Sequence, residues 1–286
     1  MIRCIATDMD GTLLGSDLLI SQKNLEAIKT AQEKGVEVVI ATGRSLNGAK
    51  YPLENANLQL PMIVMNGAQI YDLEEKLLFS VPIPKDKAKK VIEILRTRDL
   101  YFEFYSSEGQ ISAGMEQVMK MYSSYKESQL PADIEMLFEN MKNRFETLKI
   151  KFLDNFEEVF DRPEVEIYKF IVFSLYPEEL KRAGDEIAAL SDVVVSSSHF
   201  NNIEVNHVQA QKGFALERFL QERGYSLEET MAIGDSYNDL SMLKKAGFSV
   251  AMGNAAEDIK NAADFVTDRH DQDGFAKAVY RALELK

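Results

Sequence analysis

Asp8-Met9-Asp10-Gly11-Thr12 sets two carboxylates two residues apart behind a short apolar run, and on an extended chain residues so spaced face the same way. A second acidic pair, Asp235 and Asp239, lies in Gly234-Asp235-Ser236-Tyr237-Asn238-Asp239 behind another apolar run, and shares a face if that turn is helical. Taken singly, each pair also suits the capping of a turn or a helix start. Capping does not explain why both pairs should follow strands that end at one edge. Lys212-Gly213 opens a helical stretch; a cation at a helix start opposes the macrodipole and invites a compensating anion, although a solvated lysine also fits. Thr42-Gly43-Arg44-Ser45 offers a hydroxyl, backbone amides and a guanidinium, all suited to phosphate oxygens, or else a plain strand-to-helix turn. Gathered together, Asp8, Asp10, Asp235 and Asp239 repel by about 4 kcal/mol for each unit pair at roughly 4 Å and an effective dielectric of ~20. Lys212 offsets only part of that. All-oxygen donors then point to a hard divalent cation that keeps some of its waters, Mg2+ rather than zinc.

Such a gathering needs elements that end together. Apolar runs stop abruptly at polar residues: Ile2 to Thr7 at Asp8, Val36 to Ala41 at Thr42, Met62 to Met65 at Asn66, Met231 to Gly234 at Asp235. Phe248 to Met252 leads into Gly253-Asn254, and Phe265 to Thr267 makes a sixth run. Between them Leu25, Ile28 and Ala31 follow a Ser21 cap, and Leu216, Phe219 and Leu220 stop at Gly224, both with helical spacing. Alternating strand and helix predicts an α/β fold, a Rossmann-like doubly wound parallel sheet between helices, with ligands beyond the carboxyl ends of the strands.

From about residue 84 to 205 the alternation breaks. Val81-Pro82-Ile83-Pro84 removes two backbone donors and predicts a crossing between domains. Strand-like runs (Tyr101 to Tyr105, Ile167 to Leu175, Val193 to Val195, Ile203 to Val205) mix with helix-like stretches and many aromatics. The expectation is a core of residues 1–83 and 206–286 with an inserted α+β domain, 84–205, able to swing as a lid.

The 286 residues suit about two domains at the usual ~150 each. With 45% hydrophobic and 28% charged residues and no low-complexity tract, disorder is not the default expectation. The net charge of −13 repels nucleic-acid backbones and anionic membranes, and no basic patch overrides it, so neither is an expected partner. The oligomeric state has no signature here. Cys4 is the single cysteine, which excludes an intrachain disulfide; with no signal peptide and no long apolar run, the cytoplasm is the expected address. His199, His207 and His270 are scattered, as expected of surface or packing residues.

With these motifs in view, the chain resembles a haloacid dehalogenase superfamily phosphatase of the Cof-type branch. The four motifs of that superfamily stand in order as Asp8 to Thr12, Thr42-Gly43-Arg44, Lys212-Gly213 and Gly234 to Asp239, with Asn66-Gly67 and Ala251-Met252-Gly253-Asn254-Ala255 also matching. The insert between the second and third motifs has the size and placement of that branch. The resemblance implies hydrolysis of a small phosphorylated metabolite, such as a sugar phosphate. In it Asp8 is the nucleophile that forms an aspartyl-phosphate, and Asp10 is the acid that protonates the leaving oxygen and then the base for water. It implies Mg2+ on the Asp8 carboxylate, the Asp10 backbone carbonyl and Asp235. Thr42, Lys212, Asn238 and the amides of Met9 and Gly43 would hold the transferring oxygens. Asp239 would orient Lys212 or metal-bound water, and Arg44 and Asn66 would border the substrate. A phosphomutase on the same core and a receiver-like phosphate-sensing module remain as alternatives; an acid/base two residues from the nucleophile argues against the second, since it speeds turnover of the phosphoaspartate.

Overall fold

The computed structural model describes residues 1–113, 150–153, 155–174, 176–198 and 201–284. Two compact units emerge, Met1–Val81 with Gln209–Lys286, and Pro82–Val208, so the joints fall two or three residues from the expected 83/84 and 205/206. His199, and Leu175 at the end of one expected strand, lie outside the described residues. Among the described residues no helix is long and apolar enough to cross a membrane.

The first unit is built on an eight-stranded sheet. Its strands are β1 (Cys4–Thr7), β2 (Glu37–Ala41), β3 (Met62–Val64), β4 (Gln69–Tyr71), β5 (Leu77–Ser80), β12 (Thr230–Gly234), β13 (Phe248–Ala251) and β14 (Phe265–Val266). Their order across the sheet is β14-β13-β12-β1-β2-β3-β4-β5. The six expected runs are all strands, with bounds moved by a residue or two, and β14 through β3 pair in parallel. From β1 the chain winds outward to β3, then returns to β12 on the other side, so the topological switch lies between β1 and β12. Loops beyond the carboxyl ends diverge there and leave a crevice.

The edge hairpin, in which β4 runs antiparallel to β3 and β5 antiparallel to β4, was not among the expected elements. Its strands are three and four residues long, and its turn has no Asn-Gly or Asp-Gly pair. The turn is held instead by Asp72, whose carboxylate accepts from the amides of Glu74 and Lys76.

The helices close where the sequence marks them. Ser21 Oγ accepts from the Asn24 amide at the start of Gln22–Glu33, and Gly224, left-handed at φ 70°, terminates Lys212–Arg223. Ala215, Leu216, Phe219 and Leu220 from the second helix pack with Cys4, Ala6, Val39, Ile63 and Ala232 of the strands. Asn24 is fully buried; its amide donates to the Leu13 carbonyl and accepts from Ala276 N, fastening the turn after β1 to two helices.

The second unit has a six-stranded sheet. β6 (Tyr101–Ser106), β7 (Gly109–Ala113), β8 (Lys151–Leu153), β9 (Ile167–Phe173), β10 (Val193–Ser196) and β11 (Asn202–His207) run in the order β10-β11-β9-β6-β7-β8. One face carries Phe102, Phe104, Phe170, Val172 and Val205, packed with the apolar sides of helices Lys85–Thr97 and Pro177–Ala188. The alternate residues mix apolar with polar: beside Ile171 and Phe173, Lys169 Nζ meets Glu204 Oε1 at 2.8 Å, and Glu103 accepts from the Tyr101 hydroxyl. Many of the aromatics that mark this segment are therefore core, with Phe102, Phe104, Phe156, Phe160 and Phe170 in mutual ring contact.

Candidate active site

β1 and β12 pair in register, Thr7 opposite Ile233, so the residues that follow leave the sheet side by side. Asp8 still donates its amide to the Ile233 carbonyl; the chain then curls through a five-residue turn, Met9–Leu13, closed by Leu14 N on the Met9 carbonyl. The strand stops at Thr7, so the side-by-side placement expected from an extended chain is replaced by this turn, in which Asp8 and Asp10 each keep extended backbone angles. Gly11 at φ 74° makes the turn possible, and a Cβ there would sit 2.5 Å from Asp235 Oδ2. The turn is thus wedged against the loop after β12.

Lys212 joins the two acidic motifs. Its Nζ donates to Asp8 Oδ1 and to Asp239 Oδ1, both at 2.6 Å, and its side chain is wholly buried. Gly213 lets the helix start approach this closely, because a Cβ would strike the Ser241 carbonyl. Asp239 spends its other oxygen on the amides of Asp235 and Ser236, each at 2.9 Å, and so caps its own turn. Asp235 does not cap; its Oδ1 accepts from Thr12 Oγ1 at 3.0 Å and its Oδ2 from Asn254 Nδ2 at 3.2 Å.

Oxygens of Asp8, Asp235 and Asp239 all lie within 4.8 Å of one another. These three carboxylates lie beside one ammonium, bonded to Asp8 and Asp239, which leaves two negative charges in excess if all are ionised. Burial pushes the Asp8 carboxyl well above its usual range; Lys212 pulls it down, but Asp239, Asp235 and Asp10 push it further up. Desolvation, then Asp239, raises Asp235 from 3.8 to about 7. Burial works against the Lys212 ammonium, yet Asp239 and Asp8 outweigh it and hold the lysine above its ordinary value. A cluster of hard oxygens, short of positive charge, fits a divalent cation such as Mg2+.

That imbalance has a measurable sign. Because the folded Asp235 titrates above its unfolded value, its contribution to stability is complete below about pH 4 and is lost as pH rises through about 7. Protein kept in EDTA is therefore expected to melt at a lower temperature at about pH 8 than at about pH 5, and saturating Mg2+ is expected to remove most of the difference. Thermal unfolding followed by circular dichroism measures it; a midpoint that climbs over this window in EDTA would contradict the assignment.

The remaining expected residues come to the same edge. Thr42 follows β2, the neighbour of β1, donates its amide to the Ile63 carbonyl and accepts from Arg44 N at its Oγ1. Gly43 follows it. Met65, Asn66 and Gly67 are three consecutive left-handed residues, at φ 49°, 61° and 103°, tied to that loop by Met65 N on the Arg44 carbonyl and Asn66 N on the Thr42 carbonyl. Asn66 Oδ1 in turn accepts from Asn238 Nδ2 at 3.1 Å. Asn238 Oδ1 is buried with no hydrogen-bond partner among the described residues. Arg44 reaches the first motif: its Nε and Nη2 donate to Asp10 Oδ2 and Oδ1 at 2.7 and 2.5 Å. Among these contacts, the grip of Arg44 on Asp10 was not anticipated.

Thr12 and Asn254 stand in the quoted motifs but were given no role, and Asn24 was missed entirely. Asn254 carried the same signal as the others, a polar residue just past an apolar run. His270 Nδ1 packs against the Leu14 carbonyl at 2.9 Å, and His207 is partly buried, which lowers its proton affinity.

Residues 5–279 match the family described as haloacid dehalogenase-like hydrolases. Phosphatase YwpJ of Bacillus subtilis (strain 168) is 34% identical over 99% of this chain and 100% of its own length. The 5-amino-6-(5-phospho-D-ribitylamino)uracil phosphatase YwtE of the same organism is 33% identical over 99% of this chain and 98% of its own. Among solved structures, a haloacid dehalogenase-like hydrolase from B. subtilis superposes with a TM-score of 0.86 at 33% identity, covering 98% of this chain and 99% of that one. The match runs across both units, and the lysine-bridged acidic crevice lies within it: the chain belongs to the haloacid dehalogenase-like hydrolases.

Proposed function

We propose that the protein is a Mg2+-dependent phosphatase that hydrolyses small phosphorylated metabolites, sugar phosphates or similar phosphomonoesters, through an aspartyl-phosphate on Asp8. The observation that carries this is Lys212, buried between Asp8 and Asp239 beside Asp235 at the sheet's switch point. The Asp8 carboxylate, Asp235 and the Asp10 backbone carbonyl would hold the cation. When bound, it supplies positive charge that lets an anionic nucleophile and an anionic ester approach.

An Asp8 carboxylate oxygen forms a bond to phosphorus as the ester P–O bond breaks, and Asp10 gives its proton to the departing alkoxide. Water then attacks the phosphoaspartate, Asp10 takes a proton back, and the Asp8–phosphorus bond breaks to release phosphate. Thr42, Asn238, Lys212 and the amides of Met9 and Gly43 hold the phosphoryl oxygens. Asp239, which takes the Lys212 ammonium on one oxygen and two backbone amides on the other, fixes Lys212 and its own turn, whereas Asp235, with one neutral donor on each oxygen, keeps a lone pair on each for the cation. Arg44 grips both oxygens of Asp10 and fixes that carboxylate at the crevice. The inserted unit, Pro82–Val208, selects the leaving group. A phosphoribityl chain, the group named for the relative YwtE, is the kind of small polyol ester this reading favours.

A panel of sugar, polyol and cofactor monoesters assayed by phosphate release, ranked on kcat/KM, tests the reading. Activity is expected to vanish in EDTA and to return with added Mg2+. Full turnover in chelator would remove the cation from the mechanism, and no release from any ester would remove the hydrolysis.

A further inference from the structure

Asp235, partly buried, differs from the two buried aspartates beside it in the kind of partner it has. Asp8 and Asp239 share an ammonium, whereas Asp235 receives one hydrogen bond on each oxygen from neutral donors, Thr12 Oγ1 and Asn254 Nδ2. Neutral donors fix the plane of a carboxylate without cancelling its charge. The backbone closes the remaining freedom, since Gly11 lies so near that a Cβ would stand 2.5 Å from Asp235 Oδ2.

The orientation of Asn254 is itself determined. Its Oδ1 accepts from the His270 amide at 3.0 Å, and a backbone N–H can only donate, so the side-chain nitrogen must face the other way. There it meets two acceptors, the Gly11 carbonyl at 2.9 Å and Asp235 Oδ2 at 3.2 Å. One asparagine thus ties the turn after β1, the carboxylate after β12 and the segment after β14 into a single arrangement. Thr12, fully buried, has the matching position on the opposite oxygen.

We propose that Asn254 and Thr12 are positioning residues that pre-set the Asp235 carboxylate for a divalent cation, so that cation affinity depends on their two hydrogen bonds. This rests on the cation-dependent reading of the site given above. Holding the carboxylate in place before the cation arrives removes the cost of ordering it on binding, while each of its oxygens keeps lone-pair capacity for the metal.

The test is Mn2+ binding to the full chain stripped of metal, read from the electron paramagnetic resonance signal of free Mn2+, alongside the melting midpoint in EDTA. Thr12→Val and Asn254→Ala are each expected to weaken Mn2+ binding by about 10- to 100-fold. Thr12→Ser, which restores a hydroxyl, is expected to bind within about threefold of the parent, with a midpoint in EDTA close to that of Thr12→Val. At saturating Mg2+ the kcat of both weakened variants is expected to approach the parent's, while the Mg2+ concentration for half-maximal rate rises by the same factor as the Mn2+ dissociation constant. Should Asn254→Ala fail to fold, Asn254→Ser keeps an oxygen for the His270 amide but no donor that reaches Asp235, and is read in the same way. Unchanged Mn2+ binding in Thr12→Val and the Asn254 variant overturns the proposal, as does equal weakening in Thr12→Ser and Thr12→Val, which would assign the effect to packing. Absence of Mn2+ binding in the parent would overturn the cation reading itself, and is distinguished by appearing before any substitution is made.

Discussion

Asp8→Asn is expected to lower phosphate release from an aryl phosphate by roughly 10^4-fold or more, because the amide cannot act as the nucleophile while the rest of the pocket stays in place. Stability is expected to move little or to rise in metal-free protein. The carboxylate replaced is buried, desolvated and pressed by Asp239 and Asp235, so its ionised form is disfavoured there. Lys212 keeps Asp239 as its partner after the change. Activity and the melting midpoint in EDTA should therefore separate, with turnover gone and the fold intact. Turnover within tenfold of the parent would reject Asp8 as the group that takes the phosphoryl unit, and a midpoint many degrees lower would mean that the lost activity reports unfolding.

Lys212→Met carries the largest expected effect on stability. The thioether fills much of the lysine's volume but leaves Asp8 and Asp239 facing each other with no counter-charge, and removing one member of a buried ion pair costs about 3–5 kcal/mol. Urea unfolding in EDTA at about pH 7 measures the loss. Its size should shrink toward about pH 5, since protonation then does part of what the ammonium did. Added Mg2+ should recover part of the stability without restoring the rate, because the donor that faces the nucleophile is still missing. A loss under about 1 kcal/mol at neutral pH would show that the carboxylates do not depend on this lysine for their balance.

Much of this site is legible in the sequence, for a reason that lies in parallel sheets. Polar residues that end buried apolar strands must collect at one edge, so Asp8, Thr42, Asn66 and Asp235 could be grouped from hydrophobic runs alone. The acidic pairs and Lys212 then carried their own chemistry, because a cluster of carboxylates demands positive charge wherever it occurs. The edge hairpin β4 and β5 escaped notice because short strands held by an Asp72 turn leave no periodic pattern. Asn24 escaped because a polar residue on a buried helix face looks like a breach of amphipathicity until its two backbone partners, Leu13 and Ala276, are brought to it from distant parts of the chain.

Local sequence, then, determined which residues bear the chemistry and which strands deliver them, since strand periodicity and abrupt polar termini are properties of neighbours along the chain. Only the tertiary structure decided how they are used: that Asp239 serves its own turn and Lys212, that Arg44 grips Asp10, and that Asn254 and Thr12 divide the two oxygens of Asp235 between them. Hydrogen bonds between residues two hundred positions apart follow from which loops meet at the switch point, and spacing along the chain holds no record of that meeting.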